Sequence, residues 1–240
     1  MTSQILPGAP GRRAFLKGAA ATAAATAAGL MSPRSALAVS PALKFSQIPG
    51  SGDIKVLNYA LALEALETDL YAQAITRLTN GGTNALGIKI PGLNLNFGEP
   101  DVQYLREFAK VEMQHRDFLN GALGAASLLK QAPFNKARFN FGIEKMSRKQ
   151  VLTTVYTAEK IGVTAYLGAI PLFADRNYLQ AAGAIQGTEA RHTAVIADVL
   201  NELFGAGLTV APLANQNNGR DMPVTPDNVL AEVSGFIVLS

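Results

Sequence analysis

Two Glu-x-x-His segments constrain the fold of this chain more than any other feature of its sequence. Glu112 precedes His115 by three residues, and Glu189 precedes His192 by the same spacing. These are the two histidines of the chain, and both segments lie in uninterrupted runs of helix-forming residues. On an α-helix, side chains three residues apart point about 60° apart on one face. The two segments therefore predict two helices that each present one carboxylate and one imidazole in the same direction.

Two further glutamates stand in apolar helical surroundings and predict a second pair of helices. Glu64 and Glu159 are each followed seven residues later by a tyrosine, Tyr71 and Tyr166. Seven residues are nearly two helical turns, so each tyrosine returns to within about 20° of its glutamate, roughly 10 Å along the helix axis. The order Glu, Glu-x-x-His, Glu, Glu-x-x-His predicts one helical hairpin used twice.

This order resembles the ligand set of ferritin-like di-iron and di-manganese bundles, in which two single-Glu helices alternate with two Glu-x-x-His helices. The sequences of residues 57–61, 162–169 and 189–192 are similar to those of an exported branch of that family, which includes desiccation-related proteins. The resemblance covers about residues 50–205. It implies an all-α fold, namely a ferritin-like antiparallel four-helix bundle with long loops and a short C-terminal accessory helix.

The resemblance also implies a dinuclear metal centre held by four glutamates and two histidines. Four buried carboxylates carry four negative charges, which cost several kcal/mol each in an apolar interior, and two divalent ions balance them. Oxygen and imidazole ligands without sulfur favour iron first and manganese second, although zinc binds the same set. In the family pattern, two glutamates bridge the metals and the other ligands bind one metal each. The implied bridging ligands are Glu112 and Glu189, and the implied terminal ligands are Glu64, Glu159, His115 and His192.

Glu67 competes with Glu64 for the ligand position on the first helix, because it lies one turn further along the same face. Aligning the two hairpins on their tyrosines places Glu159 opposite Glu64, and Gly162 opposite Glu67. This register favours Glu64 as the ligand. It predicts that Glu67 is either solvated or contacts the ligand residues without binding metal itself, and that its replacement costs little.

Two interpretations of Tyr71 and Tyr166 remain open. In the favoured one, each is a buried tyrosine whose hydroxyl is satisfied by a neighbouring carboxylate. In the other, each orients a ligand glutamate by donating a hydrogen bond to it, or transfers electrons during metal oxidation.

Residues 1–38 have the composition of an export signal. A twin-arginine pair, Arg12 and Arg13, precedes an alanine-rich run, and residues 36–38 provide a small-x-small cleavage site. The run is too short and too weakly apolar for a membrane span. We expect cleavage near Ala38 and a periplasmic or extracellular mature protein.

Removing that signal changes the charge of the chain. The full sequence has 21 Lys and Arg against 18 Asp and Glu, and the signal holds four of the basic residues and no acidic one. The mature chain therefore has 21 − 4 = 17 basic residues and a net charge of −1, with no basic patch that would indicate nucleic-acid binding. Cysteine is absent, which excludes thiolate ligands, disulfides and cysteine nucleophiles.

Helix start and stop signals divide residues 50–205 into four helices with long connections after the first and the second. A Pro- and Asn-rich tail, residues 206–240, follows them. The predicted helices run from an Asp53 cap to about Thr79, from Pro100 to between Leu123 and Leu129, from a Ser147 capping box to Pro171, from about Tyr178 to Gly205, and from Thr225 to Val233 in the tail.

Three functions remain open at this point. The first is a di-metal oxidase or peroxide-consuming oxidoreductase, with dioxygen or peroxide as its small substrate. The second is an iron-oxidising store. The third is a non-catalytic stress-protective or interaction bundle with a vestigial site. All six ligand positions are present in register, which favours metal binding over a purely structural bundle. The pattern decides neither catalysis nor homo-oligomer formation.

Overall fold

The computed structural model describes residues 42–213, 215 and 217–239, so the predicted signal at residues 1–38 lies outside the described residues. None of the helices in the described part is long and apolar enough to cross a membrane. Four long helices and one short helix dominate this part of the chain. They are α1 (Gly52–Leu78), α2 (Pro100–Leu123), α3 (Arg148–Ala169), α4 (Arg176–Phe204) and α5 (Pro226–Val233).

Local sequence signals set several of the helix ends. Ser147 accepts a hydrogen bond from the backbone N–H of Gln150, and the Gln150 side chain accepts one from the backbone N–H of Ser147. The predicted capping box therefore begins α3. Asp175 caps α4 by accepting from the N–H of Asn177, and Gly205 ends α4 in the left-handed conformation at φ 58°.

Asp53 does not cap α1, so that prediction was wrong. The N-cap residue is Ser51, which makes no side-chain capping bond. The carboxylate of Asp53 instead accepts hydrogen bonds from the backbone N–H groups of Ala174 and Asp175, at 2.8 and 2.9 Å. These bonds tie the start of α1 to the turn that precedes α4.

The long helices pack as two hairpins, α1 with α2 and α3 with α4, and the hairpins meet mainly through α1 and α3. α1 and α3 are therefore the central helices, and both are buried on most of their sides. The predicted fold class is confirmed, because the described residues form an all-α bundle of four long helices with a short C-terminal helix.

The stripe that α2 buries has helical periodicity and includes a site residue. Leu105, Glu112 and Leu119 are seven residues apart and fully or almost fully buried. Seven residues bring a side chain back to nearly the same face of the helix. The spacing that packs α2 against the bundle therefore turns Glu112 inward.

The stripe on α4 follows the same rule with shorter steps. Ile185, Glu189, His192 and Ile196 are buried at successive spacings of four, three and four residues. This is the spacing of one face of an α-helix. Apolar residues on both sides of the Glu-x-x-His segment thus place its two polar side chains in the core.

The long connections contain strands of two small antiparallel pairs. In the α1–α2 connection, β1 (Gly82–Thr83) pairs with β2 (Lys89–Ile90). In the α2–α3 connection, β3 (Arg138–Phe139) pairs with β4 (Ile237–Val238) of the tail. Short 3-10 turns occupy Phe45–Gln47, Gly124–Ala126, Leu128–Lys130, Phe134–Lys136, Ile143–Lys145, Ile170–Leu172 and Ser234–Phe236.

The tail packs on the outside of α3 before it forms α5. The backbone N–H of Val224 donates to the carbonyl of Thr164 at 3.0 Å. A Cβ atom at Gly168 would lie 1.8 Å from the carbonyl oxygen of Val224, so this crossing requires glycine. α5 then buries Val229 and Leu230, which confirms the predicted accessory helix.

Candidate metal centre

The structure brings all six predicted metal ligands together inside the bundle. The side chains of the four glutamates are fully buried, whereas His192 has 5% and His115 has 12% of its side chain exposed. Each of the four long helices contributes, in the order that the sequence predicts. The contributing residues are Glu64 from α1, Glu112 and His115 from α2, Glu159 from α3, and Glu189 and His192 from α4.

His115 lies among three carboxylates. Its Nδ1 atom is 3.1 Å from Oε2 of Glu112, 3.2 Å from Oε1 of Glu189 and 3.5 Å from Oε2 of Glu64. One imidazole nitrogen therefore faces glutamates from three different helices.

His192 is the counterpart of His115 on the other side of Glu112. Its Nδ1 atom is 2.8 Å from Oε1 of Glu112 and 3.4 Å from Oε1 of Glu159, but neither approach has hydrogen-bond geometry. Phe108 stacks on the imidazole, with ring centroids 3.9 Å apart and planes inclined by 19°. This aromatic contact fixes the plane of the ring, and the sequence pattern did not identify Phe108.

The cluster divides into two groups that share two glutamates. Within each group, every residue offers one ligand atom, and these atoms lie within 4.8 Å of one another. Both groups contain Glu112 and Glu189, the residues to which the family pattern assigns the bridging positions. The first group is completed by Glu64 and His115, and the second by Glu159 and His192.

The two buried tyrosines donate hydrogen bonds across the bundle. The hydroxyl of Tyr71 on α1 donates to Oε1 of Glu159 on α3, and the hydroxyl of Tyr166 on α3 donates to Oε1 of Glu64 on α1 at 2.5 Å. Both interpretations of these tyrosines, as satisfied core residues and as groups that orient a carboxylate, are consistent with these bonds. The helical spacing alone did not show that each tyrosine contacts the glutamate of the other hairpin.

Glu67 is buried, so the alternative in which it is solvated was wrong. Its residue is only 3% exposed, and its Oε2 atom has no hydrogen-bond partner in the described residues. Its position one turn after Glu64 on a helix buried on most sides places it beside the cluster. A signal was present in the sequence, because Glu67 shares the face of Glu64.

Burial and mutual repulsion make it costly to ionise most of these carboxyl groups without a cation. Burial is the main reason that the pKa of Glu64 is raised to about 8. Contact with His115 lowers this pKa, and the charges of Glu189 and Glu112 raise it. Burial also raises the pKa of Glu159, with the charge of Glu112 as the next cause, and that of Glu189, with the charge of Glu159 as the next cause. The isolated cluster therefore retains protons that a bound cation would replace.

The pKa shifts of Glu112 and His115 favour the charged forms of these two groups, whereas the shifts of Glu64, Glu159 and Glu189 favour the neutral forms. Burial works against ionisation of Glu112, but its contacts with His115 and His192 lower its pKa below the usual 4.5. Burial alone would lower the pKa of His115, but contacts with Glu112, Glu189 and Glu64 raise it to about 12. Glu112 is thus the carboxylate that the two histidines keep ionised.

A groove on the surface reaches the cluster at His115. It has a volume of about 360 Å³ and lies between α2 and α4, with His115 in its lining. Phe118 and Ile185 form an apolar wall of the groove, and Ala184 also lines it. His115 is therefore the member of the cluster that is nearest to solvent.

Comparison with known families agrees with this geometry. A family model described as a ferritin-like domain matches residues 52–202, from the first residue of α1 to the last turn of α4. The chain belongs to the ferritin-like domain family. No curated protein matches the chain, and no solved structure does either. The ferritin-like domain contains all six residues of the cluster, and the tail with α5 lies outside it.

The donor atoms of this ferritin-like domain fit metal ions. Oxygen and imidazole donors without sulfur suit iron or manganese, and a buried polar atom that lacks a partner destabilises the fold. A pair of cations inside the cluster would give such atoms partners. Several buried side-chain atoms of the six cluster residues have no hydrogen-bond partner in the described part of the chain. They are Oε2 of Glu64, Oε1 of Glu112, Oε2 of Glu159, both oxygens of Glu189 and Nδ1 of His192.

Proposed function

We propose that the mature protein is an exported ferritin-like protein that holds a dinuclear iron or manganese centre. Its function would be redox chemistry with dioxygen or peroxide, or protection against iron and oxidative stress. One observation carries this proposal: two compact groups of ligand atoms share Glu112 and Glu189 inside the bundle. A shared carboxylate is the feature that distinguishes a pair of metals from two separate ions.

Glu112 has the arrangement that a bridging carboxylate requires. Its Oε1 atom faces His192 and its Oε2 atom faces His115, so the two oxygens point towards different groups. Glu189 belongs to both groups as well, and neither of its oxygens has a hydrogen-bond partner in the described residues. Glu64 and Glu159 would each hold one metal together with one histidine.

Bound iron or manganese would supply reversible one-electron redox chemistry, which the side chains of this cluster lack. The protein would contribute position and surroundings. Tyr71 and Tyr166 fix the orientation of Glu159 and Glu64. The buried stripes of α1 and α3 exclude bulk water, and the groove at His115 offers a short approach for a small molecule.

A second candidate function is a non-catalytic stress-protective bundle of the desiccation-related kind, with a vestigial site. The hydrogen bonds from Tyr71 to Glu159 and from Tyr166 to Glu64 favour this alternative, because buried carboxyl groups with raised pKa values can persist as a protonated hydrogen-bond network. The two candidates differ in whether metal binding stabilises the fold.

The proposed location is the periplasm or the cell exterior, with cleavage near Ala38. This part of the proposal rests on the twin-arginine pair, the alanine-rich run and the small-x-small site of residues 1–38. Replacing Arg12 and Arg13 by lysine should leave the unprocessed chain in the cytosol. A processed, exported protein from that variant would contradict the twin-arginine route.

The function is tested by measuring metal content and turnover together. Protein purified from cells supplied with iron and manganese should contain about two metal ions per chain, and the metal-loaded protein should consume dioxygen or peroxide. Metal-free protein and the Glu189→Ala variant are the controls, and both should be inactive. Metal binding without turnover would favour a passive store, and absence of both would favour the structural bundle.

A further inference from the structure

Glu67 is a buried carboxylate that the six-residue ligand set does not use. It is 3% exposed, and its Oε2 atom has no hydrogen-bond partner in the described residues. Burial raises its pKa well above 4.5, and the charge of Glu189 is the next cause. A carboxyl group without a partner in an apolar interior destabilises the fold, so its presence there calls for a compensating role.

The space that Glu67 occupies is opened by a glycine on the facing helix. A Cβ atom at Gly162 on α3 would lie 3.2 Å from Oε1 of Glu67 and 3.0 Å from Oε2 of Glu189. Both distances are shorter than an ordinary contact between a methyl group and an oxygen atom. The carboxylates of Glu67 and Glu189 therefore approach the same point from α1 and α4, and the absence of a side chain at Gly162 makes room for them.

The two hairpins differ at the position three residues after the single glutamate. Glu64 and Tyr71 on α1 correspond to Glu159 and Tyr166 on α3, because both pairs have a spacing of seven residues. The residue three places after the glutamate is Glu67 in the first hairpin and Gly162 in the second. The repeat that supplies matching ligands to the two groups thus adds one carboxylate on a single side.

We propose that Glu67 is a fifth carboxylate ligand of the centre, so that the two metal positions differ in charge and in affinity. This inference rests on the proposed dinuclear centre and adds to it a residue that lies outside the two groups of ligand atoms. It departs from the sequence prediction that replacing Glu67 costs little. A cation between the two carboxylates would give the unpartnered Oε2 of Glu67 a partner, and it would do the same for Oε2 of Glu189. The position that includes Glu67 would then bind a divalent ion more tightly than the other position.

The inference is tested by titrating metal-free protein with Mn²⁺ and resolving the two binding steps by calorimetry. Loss of a residue that only supports a ligand costs about 10–100-fold in metal affinity, so Glu67→Gln should weaken one step at least about tenfold and leave the other unchanged. Gly162→Ala should weaken binding in the same direction, because the added methyl group displaces the two carboxylates.

Two matched variants control for nonspecific effects. Glu107→Gln removes an exposed carboxylate of α2. Gly183→Ala adds a methyl group to α4 that, apart from the backbone of its own helix, has no described heavy atom within 4 Å. Both should titrate like the natural protein. Circular dichroism and melting of the metal-free variants show whether each has folded, and Glu67→Gln should melt no lower than the natural protein because it loses a buried carboxyl group.

The outcomes separate this inference from the proposed function. If the natural protein binds two ions and Glu67→Gln binds both with unchanged affinity, Glu67 is not a ligand and the dinuclear centre stands. If Glu67→Gln weakens both steps equally, the two positions are not unequal in the way proposed. If the natural protein binds no Mn²⁺ and no Fe²⁺, the dinuclear centre itself is wrong.

Discussion

The hydroxyl of Tyr71 on α1 donates its hydrogen bond to Glu159 on α3, and not to the glutamate of its own helix. In the same way, the hydroxyl of Tyr166 on α3 donates a hydrogen bond to Glu64 on α1. The two bonds cross the interface between the central helices, where the two hairpins meet. They therefore tie the geometry of one ligand group to the position of the opposite hairpin.

The crossed pairing predicts which residues are energetically coupled. In metal-free protein, Tyr71→Phe should lower the free energy of unfolding by about 1–3 kcal/mol, because it removes a hydrogen bond to a buried acid. In double-mutant cycles measured by denaturant unfolding, Tyr71→Phe should couple to Glu159→Gln by more than about 0.5 kcal/mol. Its coupling to Glu64→Gln should be close to zero.

Tyr166→Phe provides the matched control, since it should couple to Glu64→Gln and not to Glu159→Gln. Equal coupling of each tyrosine to both glutamates would contradict the crossed arrangement.

Much of the fold follows from the sequence because its signals are local. The capping box at Ser147 and the left-handed Gly205 mark helix ends through residues a few positions apart. The stripe that contains Glu189 and His192 is visible as helical periodicity. The inward direction of the six cluster residues follows from the same periodicity.

The features that the sequence did not predict depend on residues that are distant along the chain. The partners of Asp53 are 121 and 122 residues away, and Tyr71 bonds to a glutamate 88 residues away. The space beside the buried Glu67 carboxylate depends on the missing side chain of Gly162 on another helix. No periodicity within one helix carries such information, because the relative placement of helices is set by packing.

Stability of the metal-free protein should fall as the pH rises. Burial raises the pKa of Glu64 from 4.5 to about 8, so the folded state holds its proton more tightly than the unfolded state. The stability from this group is fully present below the unfolded pKa and is lost as the pH rises towards 8. His115 acts in the same direction above its unfolded pKa of 6.5, because its folded pKa is about 12.

We therefore expect the free energy of unfolding of metal-free protein to fall by a few kcal/mol between about pH 5 and pH 8. Glu64→Gln should reduce this slope, and Glu107→Gln should leave it unchanged. With saturating Mn²⁺ the stabilisation by metal should grow over the same range, because protons compete with the metal. A metal-free protein whose stability rises with pH in this window would contradict the assignment.

A bidentate ion pair between the starts of α2 and α3 should contribute more to stability than its exposed neighbour. Arg148 donates to both oxygens of the fully buried Asp101, at 2.8 and 2.7 Å, and to Glu99 at 3.1 Å. Asp101→Asn should cost about 1–3 kcal/mol. Glu99→Gln should cost less than about 1 kcal/mol, because the Glu99 side chain is 41% exposed.

Chemical denaturation of the two variants measures this difference. Both should retain their metal content, since neither residue belongs to the cluster. Equal costs for the two substitutions would show that burial of Asp101 adds nothing to the pair.

Metal uptake should depend on the groove at His115. Ala184→Trp would fill the groove between α2 and α4 and should slow the uptake of Mn²⁺ severalfold in stopped-flow experiments, with the final stoichiometry unchanged. Ala72→Trp places the same side chain at an exposed position of α1 and is the control. Equal uptake rates in both variants would mean that metal enters elsewhere.

Anaerobic titration of metal-free mature protein with Fe²⁺ and with Mn²⁺ tests the central claim most directly. We expect about two ions per chain and a large rise in the melting temperature as the metals bind, because bound cations stabilise only the folded state. Glu189→Ala should lose most of the binding while circular dichroism shows that its helices remain. A natural protein that binds neither ion and melts at an unchanged temperature would contradict the dinuclear centre.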